Sequence, residues 1–132
     1  MEASELRIGN FVNAYINATT GKIHSLTKVT CLHMNTLEGK NNVTHPYNLI
    51  EPIRLTEEWL LKLGFKRNEN TKVSDSFYYI SVGGSKLHIN PDNGVVWIHR
   101  NESIFNNPCL IEFVHQLQNL YYALTGVELS VS

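Results

Sequence analysis

The chain has 132 residues, with twelve acidic and eleven basic side chains, a formal net charge of −1 and 42% apolar residues. That length suits one compact domain, or two very small lobes sharing a core, and buries roughly two-thirds of the unfolded surface. No run of about 18 apolar residues occurs, which excludes a membrane-spanning helix. The near-neutral balance excludes a general DNA-coating protein, whose affinity needs a basic surplus. No basic segment leads into an apolar stretch at the start, so the expected location is cytoplasmic, with Cys31 and Cys109 as unpaired thiols in a reducing compartment. The N-x-S/T triplets at Asn17, Asn42 and Asn101 then carry no glycosylation meaning. Fifteen asparagines against two aspartates favour turns and strand ends, where asparagine tolerates left-handed backbone.

Residues 6–16 read as a strand kinked at Gly9-Asn10. Residues 22–34 alternate loosely through Ile23, Leu26, Val29 and Leu32, as one bent strand or two short ones. A closing segment over 43–50 contains His45-Pro46, which is barred from a central strand because proline lacks the amide donor. Several short strands within about fifty residues predict a small curled sheet, with an SH3-like barrel as one form of it. The chain changes character near Pro52, which divides it into a β-rich part, 1–52, and an α-β-β-β-α part, 53–132.

Residues 55–64 predict a short helix. Thr56 is its N-cap, Glu57 and Glu58 favour the positive end of the helix dipole, and Leu55 and Leu60 occupy the staple positions. Gly64 suits the left-handed residue after its last turn. The acidic pair is thereby explained by the helix start rather than by catalysis.

Residues 77–99 predict a three-stranded antiparallel meander with turns at Gly83-Gly84 and Pro91–Gly94 or Asn93-Gly94. Even-numbered loops place Tyr78, Ile80, Val82, Leu87, Ile89, Val96 and Ile98 on one apolar face. Phe77, Tyr79, Lys86, His88, Val95, Trp97 and His99 then share the other. A three-residue loop would mix the two sets. Asn107-Pro108 predicts the N-cap and first residue of the main helix. Leu110, Phe113, Val114, Leu117, Leu120, Tyr121 and Leu124 recur at helical spacing, ending at Gly126. This stripe is expected to cover the sheet. Glu112, His115, Gln116, Asn119 and Tyr122 are left on an outer face.

Phosphate-loop, dinucleotide, nucleophile-elbow and HExxH patterns are missing, so no catalytic residue and no cofactor is assigned. None of the six histidines shows zinc-ligand spacing with a second His or Cys, so no metal ligand is assigned either. His88 and His99 would face each other only if Asn93-Gly94 formed a two-residue loop. The best site is the polar meander face. There Tyr79, His88 and Trp97 stand side by side, with Lys86, His99 and Arg100 adding positive or switchable charge. Flat rings beside cations suit a base and its phosphate. The bland counterpart is that this face packs on the N-terminal strands as second-layer core. His115, Gln116, Asn119 and Tyr122, which a core does not require, form a second candidate surface for a protein partner or for self-association.

Three blocks carry a resemblance: residues 5–12 (ELRIGNFV), 50–65 (IEPIRLTEEWLLKLGF) and 114–129 (VHQLQNLYYALTGVEL). Together they cover about a third of the chain and resemble small uncharacterised proteins carried by phages and mobile elements of gut Bacteroides-type bacteria. The resemblance implies an accessory protein in the cytoplasm of a bacterial host. It supplies no catalytic residues, and it leaves the meander unmatched.

The sequence therefore predicts an α+β protein: a curled β-subdomain, a short helix, a three-stranded antiparallel meander and a C-terminal helix packed on the sheet. The expected function is non-enzymatic binding of a host component. Its specific form is sequestration of a nucleotide immune signal on the Tyr79–His88–Trp97 face by an oligomer with shared pockets, as an anti-defence sponge. The rivals are a protein-interaction adaptor and, further off, a nucleotide-cleaving enzyme built on the histidines.

Overall fold

A computed structural model describes residues 1, 3–18, 21–33, 36–39, 43–67, 77–100, 103–104, 109–129 and 131. The fold is α+β, and the chain divides into two compact units. The first is Met1–Arg54 with Phe113–Asn119; the second is Leu55–Glu112 with Leu120–Ser132. The change of character near Pro52 falls close to the division at Arg54. The segment Phe113–Asn119 belongs with the first unit, although the sequence pattern groups it with the second half.

In the first unit, β1 (Phe11–Ala18) and β2 (Gly21–Lys28) form an antiparallel hairpin, from Phe11 opposite Lys28 to Ala18 opposite Gly21. Two further short strands, β3 (Cys31–Leu32) and β4 (Thr36–Glu38), pair with each other, and β5 (Thr44–Pro46) pairs with β4. The last, β6 (Ile50–Glu51), lies on the free side of β1. The result is two three-stranded sheets, ordered β2-β1-β6 and β3-β4-β5. The strand expected from residue 6 starts only at Phe11, because Ile8 and Gly9 turn the chain and Gly9 holds a φ of 99°. The 22–34 segment resolves into two strands, and Pro46 sits on the edge strand β5, where a missing donor is tolerated. Alternation along β1 sends Val12 and Ala14 inward to meet Leu6, Val29, Leu37 and Ile50.

The second unit opens with α1 (Glu57–Lys62), capped by Thr56, whose hydroxyl accepts from Trp59 N–H at 3.4 Å. Its end is a Schellman turn. Phe65 N–H bonds Leu60 C=O at 3.0 Å and Gly64 N–H bonds Leu61 C=O at 3.2 Å, with Gly64 at φ 89°. The sheet follows: β7 (Lys66–Arg67), β8 (Tyr78–Val82), β9 (Ser85–Ile89), β10 (Val95–Arg100), β11 (Ser103–Ile104) and β12 (Cys109–Leu110). The expected meander is β8-β9-β10, the centre of a six-stranded sheet. β7 extends one side, and β11 and β12 pair with β10 on the other. The first loop is Gly83-Gly84. The second holds four residues, Pro91–Gly94, closed by Asn90 N–H to Val95 C=O at 2.9 Å. Both loops are even, so the two faces partition as the alternation requires: Tyr78, Leu87, Ile89 and Val96 are buried.

The last helix, α2 (Val114–Thr125), differs from expectation at its start. Asn107-Pro108 lies outside the described residues. Cys109–Leu110 is extended and paired with Val95–Val96, so no helix runs through it. The pairing continues as Ile111 N–H donates to Gly94 C=O at 2.8 Å, and a side chain on Gly94 would run into the Ile111 carbonyl. Gln116 then closes the true helix start, its Oε1 accepting Phe113 N–H at 3.1 Å, the return half of a capping box. Leu110 and Leu124, placed on the apolar stripe by the sequence, are exposed, while His115 and Gln118 are buried.

Gln118 explains why Phe113–Asn119 groups with the first unit. Fully buried, it accepts Phe11 N–H at 2.8 Å and donates to Gly9 C=O at 3.0 Å. Replacing it with an apolar side chain orphans both backbone groups, at about 1–3 kcal/mol each. Gln118→Leu should therefore lower the urea midpoint without changing the m-value, measured by tryptophan fluorescence. A loss below about 0.5 kcal/mol would mean that Gly9 and Phe11 find other partners.

Candidate functional site

The polar face of the β8-β9-β10 meander carries the aromatic row of the large sheet. Pairing sets Tyr79 opposite His88 and His88 opposite Trp97, so the three positions form one row across the strands. Tyr79 and His88 are half-buried, with ring centroids 6.0 Å apart and planes tilted by 39°. Lys86 is exposed, and its Nζ lies 4.9 Å from the centre of the Tyr79 ring. The side chains of Trp97, His99 and Arg100 lie outside the described residues. Their strand positions are settled: His99 pairs with Lys86, and Arg100 with Ser103. Since the loop is four residues long, His88 faces Trp97 and not His99, so the paired-histidine arrangement does not form.

Behind this face, Tyr78 points the other way and is buried. Burial, and then its hydrogen bond to the Glu57 carboxylate, push its hydroxyl up to about 12. Glu57 thus has a second use beyond the helix dipole, one that nothing in the local spacing announces.

The second candidate surface is placed differently from expectation. Of its four residues, only Tyr122 is exposed. Gln116 caps its own helix, as described above. Asn119 is half-buried, its Oδ1 accepting from Arg7 Nε at 3.0 Å and from Asn10 Nδ2 at 2.9 Å, while its Nδ2 donates to Glu5 C=O at 3.1 Å. His115 is 3% exposed and stacks on Phe113 at 6.0 Å. These polar residues were expected to be dispensable for folding. Gln116 and Asn119 are part of it: Gln116 satisfies Phe113 N–H at the helix start, and Asn119 satisfies Glu5 C=O and the Arg7 and Asn10 side chains.

Donors suited to a metal ion do gather elsewhere, on β3 and β4: Cys31, His33 and Glu38. Their signal in the sequence was Cys-x-His, which puts two donors on one side of an extended segment. The third arrives only through strand pairing. Compared with family models, curated proteins and solved structures, the chain matches none. The chemistry of these sites therefore rests on geometry.

His115 gives a measurable pH signature. Burial lowers its pKa from 6.5, opposed by the nearby Glu5 carboxylate. The folded state holds the ring neutral while the unfolded chain takes up a proton. The stability gained by neutrality is thus present above pH 6.5 and lost as pH falls through the depressed folded value. His115→Gln should flatten the difference between urea midpoints at about pH 7.5 and about pH 5.5 relative to the parent chain. An unchanged difference would show that His115 does not carry it.

Proposed function

We propose that the chain is a non-enzymatic binding protein that holds a nucleotide-type ligand on the face built by Tyr79, Lys86 and His88, with Trp97, His99 and Arg100 at the adjoining strand positions. The observation that carries this reading is the row across β8, β9 and β10. Aromatic positions lie in register on a half-open face, and an exposed cation sits over one ring. A base stacks on Tyr79, and the flexible Lys86 stem swings its ammonium from the ring edge to a phosphate. The opposite face is sealed by Tyr78, Leu87 and Ile89, so the sheet presents a rigid platform rather than a collapsing pocket.

The residues gathered on this face favour binding over turnover. Among the described residues, stacking and charge are supplied without a paired carboxylate beside the rings. The resemblance of residues 5–12, 50–65 and 114–129 to phage and mobile-element proteins supports the context, an accessory protein acting inside a bacterial host. In that setting the reading becomes sequestration of a nucleotide signal. Sharing of pockets between copies belongs to the same proposal.

Native mass spectrometry of the purified chain with cyclic di-AMP, ATP and AMP tests this directly. At least one should be retained intact, and the same spectrum reports the subunit count. Tyr79→Ala should weaken the retained ligand by about 5- to 150-fold, the range for loss of one base–aromatic stack. No retention of any of the three, affinity unchanged in Tyr79→Ala, or recovery of a cleaved ligand would overturn the reading.

A further inference from the structure

Pairing of β3 with β4 sets Cys31 directly opposite Glu38. Alternation brings His33 back to the side of Cys31. One donor atom from each, the Cys31 Sγ, a His33 ring nitrogen and a Glu38 carboxylate oxygen, lies within 4.8 Å of the others. His33 Nε2 is 2.9 Å from Glu38 Oε1. The backbone beneath them is pinned from several sides. Thr30 N–H and Thr30 hydroxyl both donate to Glu38 C=O, at 2.8 and 3.1 Å. His33 N–H donates to Thr36 C=O at 2.8 Å, and the Tyr47 hydroxyl to His33 C=O at 2.6 Å. Cys31 and Glu38 are half-buried and His33 is exposed, which leaves the cluster an open approach from solvent.

We propose that Cys31, His33 and Glu38 bind one divalent transition-metal ion of the zinc class. An exposed His–Glu pair alone contributes little to stability, and it gives no reason for a thiol beside it. Thiolate, imidazole and carboxylate together are the donors that zinc takes and that magnesium and calcium do not. Bonds of about 2.3 Å to sulfur and about 2.0–2.2 Å to nitrogen and oxygen place tetrahedral donors roughly 3.3–3.8 Å apart. The 2.9 Å His33–Glu38 separation must open by roughly half an ångström, and separations approaching 4.8 Å must close by on the order of 1 Å, which rotation of the His33 and Glu38 side chains supplies without moving the pinned strands. Three protein donors leave the fourth tetrahedral position to water. On binding, the Cys31 thiol releases its proton to solvent, and the His33–Glu38 hydrogen bond gives way to two metal bonds, with the ring proton carried on Nδ1. Affinity therefore falls as pH is lowered. The inference stands apart from the nucleotide face, which uses none of these residues.

The test is titration of the intact chain with Zn²⁺ by calorimetry and with Co²⁺ by absorption spectroscopy. One ion per chain is expected, with a sulfur-to-cobalt charge-transfer band and ligand-field bands of tetrahedral intensity. Cys31→Ser should abolish the charge-transfer band, Cys109→Ser should keep it, and Glu38→Gln should weaken Zn²⁺ by at least about 100-fold, more than loss of an outer-shell partner costs. A reading that needs no folded variant comes from the parent chain. Zn²⁺ should slow iodoacetamide alkylation of Cys31 at least tenfold and leave Cys109 unaffected, as mapped by peptide mass spectrometry. The proposal is overturned by absence of saturable binding, a cobalt spectrum without a sulfur band, a band that survives Cys31→Ser, or alkylation of Cys31 indifferent to Zn²⁺.

Discussion

A primary amide side chain offers the same donor and acceptor as a peptide group, and Gln118 uses both in that capacity. It bonds Phe11 N–H and Gly9 C=O at the point where the first strand begins. Those two groups stand at the turn into β1, and Gln118 supplies a partner to each. Without a partner inside the protein they would remain stripped of water. Around this pair lie Arg7, Asn10 and Asn119. Arg7 donates through Nη2 to Gln118 C=O at 3.2 Å, and Asn10 Oδ1 accepts Arg7 N–H at 2.7 Å. Hydrogen bonds between residues 5–11 and 118–119 hold the turn against the helix. The core beneath, from Leu6 to Ile50, depends on β1 starting where it does.

The large sheet follows a simpler constraint, parity. Two even loops keep every second residue of β8, β9 and β10 on one side, so an apolar set and an aromatic-polar set separate cleanly. An inserted or deleted loop residue would exchange the faces of one strand and bury His88 or expose Leu87. The functional face is in that sense a by-product of the core. The same alternation that buries Leu87 and Ile89 is what lines up Tyr79 with His88. Strand pairing acts likewise on the small β3–β4 pair, where it matches a thiol with a carboxylate.

Much of this was legible in the residues. The meander, its turns and its two faces follow from period-two alternation and glycine placement. The cap, staple and closing glycine of α1 are short-range signals that packing did not override. What the pattern concealed was long-range. Asn107-Pro108 looks like a helix start, yet Cys109–Leu110 is claimed by the edge of β10, and the helix waits until Val114. The polar side of α2 looks like a surface because helical periodicity weighs apolar residues alone. Gln118 and His115 are interior, and the backbone turn at Gly9 explains why a polar group is needed at Gln118. Cys31 and Glu38 lie seven positions apart in sequence and become neighbours only once register is set.

The bond between Gln118 and Gly9 closes a loop of 109 residues. A ribosome releases Gly9 and Phe11 long before Gln118 exists, so the first unit cannot complete itself until residue 118 has been made. Its strands emerge with an unsatisfied turn and an incomplete inner surface, and they must wait until Leu55–Glu112 of the second unit has been synthesised. Contacts that distant in sequence slow folding, because loop closure is paid before the contact forms. A fragment ending before Phe113 would carry every strand of the first unit and still lack the group that finishes it. Division of the chain into two units is therefore a matter of space and not of synthesis: the earlier unit is sealed only after most of the later one has been made.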